Sequence, residues 1–439
     1  MKFNLKTKTF RFYKKIGLNS LIAKSSSVFF RKALGLILSF IWVFLITNLF
    51  GSEVYGLFSL GQVLIGFSGM IFGLGLDQAL IKLGANKLHF DDDNIKSDFL
   101  KVGFSFIAFS SIICGLIFFF LRDFLAEKVF NNLVFRDYLL IISIFFSLFL
   151  FHKVSVGFLT VQKKFKLYGN YYFIFPNLAI IIGVLIIYLL KIPSYYLIGC
   201  FLLSYGVSGF IAFFHLPKIS GIIEYQIKRK DLLKISLPMM ISSSFLFITS
   251  WTDVFMLGIM VDKGDLGVYN VAYKLSSLTT LVLIAVNTVI TPKISEYYYE
   301  NRLKKLEKEV FKATKLITYI TFPLVLILIV FRHFILSIFG AEFQSGGLVL
   351  IVISIGMLFN AISGPVGQIL NMTGSERLFR NLTVLSALIN VGLNVLLIQK
   401  YGILGAALAS MFASLTLNLL GIYFVRRNVG FYSFFRFHI

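Results

Sequence analysis

Charge is scarce in this chain, and acidic charge most of all: Asp and Glu number 20 against 42 Lys and Arg, and together they are 14% of the residues. A soluble domain is about one-quarter charged, so this composition cannot supply a continuous water-facing surface. Cysteine is limited to Cys114 and Cys200, both inside apolar runs. Two such residues exclude a disulfide framework and a thiolate metal cluster, and read as ordinary buried thiols. The sequence has no Gly-rich phosphate loop, no cluster of metal ligands and no Ser/His/Asp arrangement. Without an ATP site, active transport must draw on ion or electrical gradients. Asp91-Asp92-Asp93 sits in a short hydrophilic stretch and reads as a solvated loop, not as a sugar-transferase motif.

What is present is apolar. Hydrophobic residues make up 58% of the chain and the mean hydropathy is +0.86, which describes a polytopic membrane protein. A membrane-spanning helix takes about 20 apolar residues. Twelve runs qualify: 32–50, 56–84, 100–121, 138–160, 169–190, 194–216, 235–260, 266–290, 316–339, 345–371, 378–399 and 402–425. Open sheets leave backbone groups unpaired in lipid, and runs this apolar lack the alternation of barrel strands. The expectation is an all-α polytopic membrane protein with twelve transmembrane helices. The basic first 31 residues lead into the first run without a small-residue cleavage site, so the N-terminus is expected to stay in the mature protein.

A net charge of +22 in such a chain bears on topology and gives no reason to expect nucleic acid as a partner. Twelve spans put both termini on one side, where 34 of the Lys and Arg then fall. The opposite side holds 7, and only Lys274 belongs to neither. Basic residues collect on the cytoplasmic side, so both termini are expected there. The largest inside connections, 217–234 and 291–315, are basic. In the second, Leu303, Leu306 and Val310 form a short apolar stripe, which suits either a helix on the anionic inner leaflet or a solvated linker.

The two halves resemble repeats. Gly56 follows the first span and Gly267 the seventh, 211 residues apart, while Gly183 and Gly392 are 209 apart in later spans. Six spans per repeat is even, so the halves keep the same orientation, related by an axis along the membrane normal. The expected organisation is a basic cytoplasmic N-terminus (1–31), an N-lobe of six helices (32–216), a cytoplasmic linker (217–234), a C-lobe of six (235–425) and a cytoplasmic tail (426–439).

Polar residues within the spans are the candidate functional groups. An Asp or Lys at a helix centre costs roughly 2.5–3.5 kcal/mol to insert, so it faces a bundle interior or wet cavity. In the second span Ser59, Gln62, Gly66, Gly69, Gly73 and Asp77 share one helical face. Its glycines fit close helix packing, while Gln62 and Asp77 point toward a water-filled cleft. Asp253 in the seventh span shares a stripe with Ser236, Ser243 and Ser250, and Lys274 in the eighth with Asn270 and Ser277. Lys274 can also snorkel, and Asp253 can simply pair with it. Asn360, Gly364, Gly367 and Asn371 are expected on one face of the tenth span, and Asn390 with Asn394 as interhelical hydrogen-bonding groups in the eleventh. His152-Lys153 has no evident role.

Several ordered motifs carry a resemblance. They are Phe50-Gly51-Ser52-Glu53-Val54-Tyr55-Gly56-Leu57, Asp253-Val254-Phe255-Met256-Leu257-Gly258, Gly267-Val268-Tyr269-Asn270-Val271-Ala272-Tyr273-Lys274-Leu275, Pro292, Phe339-Gly340-Ala341-Glu342-Phe343 and Tyr401-Gly402-Ile403-Leu404-Gly405-Ala406-Ala407-Leu408-Ala409. Together they resemble the polysaccharide-transporter branch of the multidrug/oligosaccharidyl-lipid/polysaccharide exporter superfamily. The resemblance implies two six-helix lobes around a central cleft lined by spans one, two, seven and eight. It also implies a flippase, not an enzyme, carrying a polyprenyl-diphosphate-linked oligosaccharide to the outer leaflet of a bacterial inner membrane, for O-antigen, capsule or a related polymer. Lys274, with Arg31 and Lys32, would then stabilise the diphosphate, and Gln62 and Asn270 would line the cleft. Asp77 and Asp253 would bind a coupling ion, H+ or Na+, or hold the bases in place. No cofactor or metal is expected beyond that ion. Membrane lipids, and a glycan polymerase or glycosyltransferases, are the expected partners. A cation-coupled multidrug antiporter of the same superfamily is the alternative, weakened because the first span has no acidic residue. A membrane glycan polymerase or ligase is a further one, weakened because every outside loop is short.

Overall fold

The computed structural model describes residues 4–76, 79, 93–216 and 229–436, and the described chain is helical almost throughout. Its helices are α1 (Asn4–Ile71), α2 (Asp93–Phe124), α3 (Phe135–Val161), α4 (Phe165–Leu189), α5 (Tyr196–Phe213), α6 (Arg229–Met260), α7 (Lys263–Tyr299), α8 (Leu303–Val330), α9 (Arg332–Ser337), α10 (Gly347–Ser363), α11 (Val366–Met372), α12 (Glu376–Tyr401) and α13 (Ile403–Val429). Ten segments among the described residues are long and apolar enough to cross a bilayer. One of these, Ser27–Ile71, has 45 residues, about 68 Å at 1.5 Å per residue and far longer than one bilayer crossing. It is divided at Gly51, whose φ of 86° only glycine adopts without strain.

The chain separates into two compact units. The first comprises residues 1–45, 68–120 and 140–240. Here α1 lies against α4 so closely that a Cβ on Gly35 would stand 2.5 Å from the Phe173 carbonyl oxygen. Trp42 Nε1 donates to Asn177 Oδ1 at 2.7 Å across the same pair. α4 carries a π-helical turn at Asn170–Ile174. Its Tyr171 carbonyl accepts from Ser208 Oγ at 2.6 Å. The C-terminus of α1 gives way to a turn through Leu74 (φ 52°) and Gly75 (φ 65°), and the carbonyls left open there find side-chain donors. Ser110 Oγ donates to Phe72 O at 2.7 Å and Lys153 Nζ to Gly69 O at 3.3 Å. Lys153 thus acquires a place, as an ammonium at a helix C-terminus. Its neighbour His152 is buried edge-on to Tyr205, ring centroids 4.8 Å apart, with Gly209 packed on its backbone.

The second unit comprises residues 46–67, 121–139 and 241–439. Gly56 and Gly267, equated by the repeat comparison, meet within it. A Cβ on Gly56 would overlap the Lys263 carbonyl oxygen, and one on Gly267 would overlap that of Ser52. Ser52 and Lys263 are again 211 residues apart, so the crossing is reciprocal: each glycine meets the carbonyl four residues before the other glycine. Beside it, Glu342 Oε1 accepts from the Ser52 backbone N–H at 2.5 Å, capping the helix that restarts after Gly51.

Two expectations change. The tenth span does not present one continuous polar face, because its helix stops at Ser363, turns at Gly364 (φ 77°) and Pro365, and resumes as α11. Proline lacks the N–H a continuous helix needs there. Of the stripe, Leu306 and Val310 belong to α8 and are buried against Ile290, Ile294, Val366, Ile369 and Val425, while Leu303 at the start of the helix is exposed. The buried pair is protein core, neither a surface helix nor a linker.

Candidate functional site

Asp253 is 6% exposed, and its carboxylate is met by four neutral side chains from three other helices. Tyr269 Oη of α7 donates to Oδ2 at 2.7 Å, and the Ser410 hydroxyl of α13 donates to the same oxygen. Asn390 and Asn394 of α12 donate their Nδ2 groups to Oδ1 at 3.0 and 2.7 Å. The amides also bond each other, Asn394 Nδ2 to Asn390 Oδ1 at 3.1 Å. An isolated buried carboxylate is prohibitively costly, and donors to the charged form are what make it tolerable.

The register of two hairpins brings these groups together. α6 and α7 are joined through Val261 and Asp262, so Asp253 and Tyr269 lie on either side of one tight connection. The ammonium of Lys263 closes it, donating to Gly258 O at 2.6 Å. α12 and α13 turn at Gly402 (φ 54°), and Gly405 packs against the Leu397 carbonyl, allowing close approach. Asn394 and Ser410 are each eight residues from Gly402, so both stand about 12 Å from the turn. The four helices therefore deliver polar groups at matching depth.

Among the described residues, none of the carboxylate's partners is a base, so the alternative of an Asp253–Lys274 ion pair is set aside. Asn394 Oδ1 is buried without a hydrogen-bond partner. Turning the Asn390 and Asn394 amides about their terminal bonds would exchange the N–H groups that face Asp253 for carbonyl oxygens.

The other sequence candidates fall elsewhere. Asn270 is buried and donates to its own helix at Leu266 O, 3.2 Å away, taking no part in the Asp253 network. Lys274 and Gln62 are half-buried in the second unit. Arg31 and Lys32 belong to the first unit. The Arg31 guanidinium donates from Nε to Asn170 Oδ1 at 2.7 Å and from Nη1 to Ser27 O at 2.9 Å, fastening α1 to α4. Asp77 lies outside the described residues. Tyr269 and Ser410 were not singled out from the sequence. The signal that finds them is equal spacing of polar residues about a tight turn.

The family described as "Polysaccharide biosynthesis protein" matches residues 8–345. The chain belongs to this family. Among curated relatives, it is 29% identical over 182 residues to the "Probable low-salt glycan biosynthesis flippase Agl15" of Haloferax volcanii, a match covering 41% of this chain and 39% of that protein. The fold is that of "Lipid II flippase MurJ, inward closed conformation", with a TM-score of 0.73 and 20% identity over 92% of this chain and 87% of that one. It is equally that of an inward-facing "multidrug resistance MATE family transporter of the MOP superfamily", with a TM-score of 0.74 and 16% identity over 91% and 94%. This polysaccharide-biosynthesis family member is thus a multi-pass membrane protein with a transporter fold.

Proposed function

We propose that this protein is a flippase that carries a polyprenyl-diphosphate-linked oligosaccharide from the inner to the outer leaflet of a bacterial cytoplasmic membrane by alternating access. The observation that carries the reading is the buried Asp253 network inside a transporter fold of the polysaccharide-biosynthesis family: a carboxylate held, among the described residues, by neutral groups, which leaves its charge available to a cation. Asp253, Asn390, Asn394 and Ser410 bind the coupling cation, H+ or Na+, with Asp77 as a second carboxylate. Lys274, Arg31 and Lys32 stabilise the diphosphate, and Gln62 and Asn270 line its path. The sugar crosses in the cleft while the prenyl tail stays in lipid. Outward movement of an anionic head runs down an inside-negative potential, worth about 2.3 kcal/mol per charge per 100 mV.

Twelve passes fit this reading. The Gly51 kink divides Ser27–Ile71 into two, and α6, of which Trp251–Met260 is a short apolar part, supplies one beyond the ten. The reciprocal Gly56–Gly267 crossing supports two parallel repeats, 32–216 and 235–425, with both termini cytoplasmic. The test is depletion of the protein followed by leaflet-resolved analysis of lipid-linked oligosaccharide, with Lys274→Ala reintroduced at normal expression. Accumulation in the inner leaflet is expected for both. Wild-type export by Lys274→Ala removes the proposed charge role. The shared fold with a multidrug transporter favours a cation-coupled drug antiporter as the second reading; drug efflux without a glycan defect on depletion decides for it.

A further inference from the structure

The break in the tenth span leaves backbone carbonyls that its own helix cannot serve. The Val366 N–H turns back to Gly364 O at 2.8 Å, and Pro365 has no N–H to give. The carbonyls of Ile362 and Ser363 are nevertheless paired, both by the C-terminal segment. Phe435 N donates to Ile362 O at 2.8 Å, and Ser433 Oγ to Ser363 O at 2.9 Å. Thr314 Oγ1 of α8 in turn donates to Ser433 O at 2.9 Å. Gly364 has room for no side chain, since a Cβ there would lie 2.7 Å from Ser433 O and overlap Thr314 Oγ1.

The segment is anchored on both sides of these bonds. Gly430, at φ 97°, reverses the chain after α13. Phe431, 4% exposed, enters the core shared by Ile290 and Ile294 of α7, Val310 of α8 and Val366 of α11. Arg426 lies over the Tyr432 ring with its Cζ 5.1 Å from the centroid. Arg436 Nη2 meets Glu307 Oε1 at 3.3 Å. Residues 430–436, part of the expected cytoplasmic tail, tie α7, α8, α10, α11 and α13 together where the tenth span is interrupted at Gly364.

We infer that Gly430–Arg436 is a built-in clamp: it holds the tenth-span break in one conformation, so that the helices around it move as one block during transport. Irregular backbone at membrane depth is tolerated only where protein or a water-filled cavity satisfies it, and interrupted helices in transporters sit where substrates and ions pass. Here the segment after α13 fills that role, and its release switches the region from rigid to mobile.

The inference rests on the flippase reading only for its transport arm, so the test has a second arm that needs no substrate. Three variants of the full protein in nanodiscs serve: a chain ending at Val429, Ser433→Ala, and Phe435→Pro, which removes the N–H given to Ile362 together with the ring that meets Tyr319. A chain lacking only residues 437–439 is the control. Hydrogen exchange of the amides from Gly364 to Ile369 is expected to rise at least about tenfold in the first variant and severalfold in the other two, as buried carbonyls lose their donors. Transport per folded molecule is expected to fall in the same order, with the control at wild type. If the Val429 chain does not fold, the two point variants carry both readouts. Unchanged exchange at Gly364–Ile369 in the point variants, or raised exchange with wild-type transport per folded molecule, overturns the clamp. Raised exchange in a protein that moves no lipid-linked glycan leaves the clamp standing and sinks the flippase reading.

Discussion

Replacing Asp253 separates stability from coupling. In Asp253→Asn, the new Oδ1 can keep the amides of Asn390 and Asn394, while its Nδ2 faces two hydroxyls, Tyr269 and Ser410, that rotate and accept instead. Hydrogen bonds to a charged acceptor are worth about 1.5–3 kcal/mol and neutral ones about 1. The loss over four bonds is offset by no longer burying an ionised group, so the net change is expected to stay within about 2 kcal/mol. Asp253→Ala is different. The amides retain second acceptors, Ser410 Oγ at 3.3 Å and Asn390 Oδ1 at 3.1 Å. The buried Tyr269 hydroxyl, whose bond runs to Asp253, loses its acceptor. At about 1–3 kcal/mol for an unsatisfied buried group plus the cavity left behind, a cost of about 2–5 kcal/mol is expected. Thermal unfolding of purified protein across a Na+ titration and a pH series reads both effects. A bound ion at a hundred times its dissociation constant adds about 2.7 kcal/mol, so the wild-type midpoint should climb with the coupling ion while both variants stay flat. An ion-dependent midpoint surviving in Asp253→Asn, or an Asp253→Ala protein as stable as wild type, would refute the assignment.

Two further perturbations probe the second unit. Gly56→Leu forces a side chain into the Lys263 carbonyl and must push the two glycine-bearing helices apart; loss of folded yield beyond that of a surface Gly→Leu control is expected by size-exclusion analysis, and equal yields would contradict the reciprocal crossing. Glu342→Ala takes the acceptor from the Ser52 N–H and should cost about 1–3 kcal/mol, restored in part by Glu342→Gln, whose carbonyl oxygen can still accept; a thermal midpoint unmoved in Glu342→Ala speaks against the cap.

Much of the fold was legible because helix formation in lipid is a local matter. A run of apolar residues has one way to satisfy its backbone there, and apolar side chains such as Phe120, Ile182 and Leu388 remain exposed in the folded chain. Gly56 and Gly267 stood out by their spacing, and the folded chain packs them against each other. The pairing partners were not legible. Asn390 and Ser410 lie 137 and 157 residues from Asp253, and asparagines or serines on a helix face carry the same pattern whether they bond a neighbouring carbonyl or a distant carboxylate. The same limit left Lys153 without an evident role until the end of α1 supplied an open carbonyl for it.

The sequence by itself determined that this is a helical membrane protein with a family's ordered motifs, and that a carboxylate at Asp253 needed partners, because periodicity and the cost of buried charge act over a few turns of helix. Tertiary structure alone decided who those partners are, that Lys274 is not among them, and that residues after Val429 return to close the break at Gly364. Each depends on the register in which separate helices meet, which no single run of residues encodes.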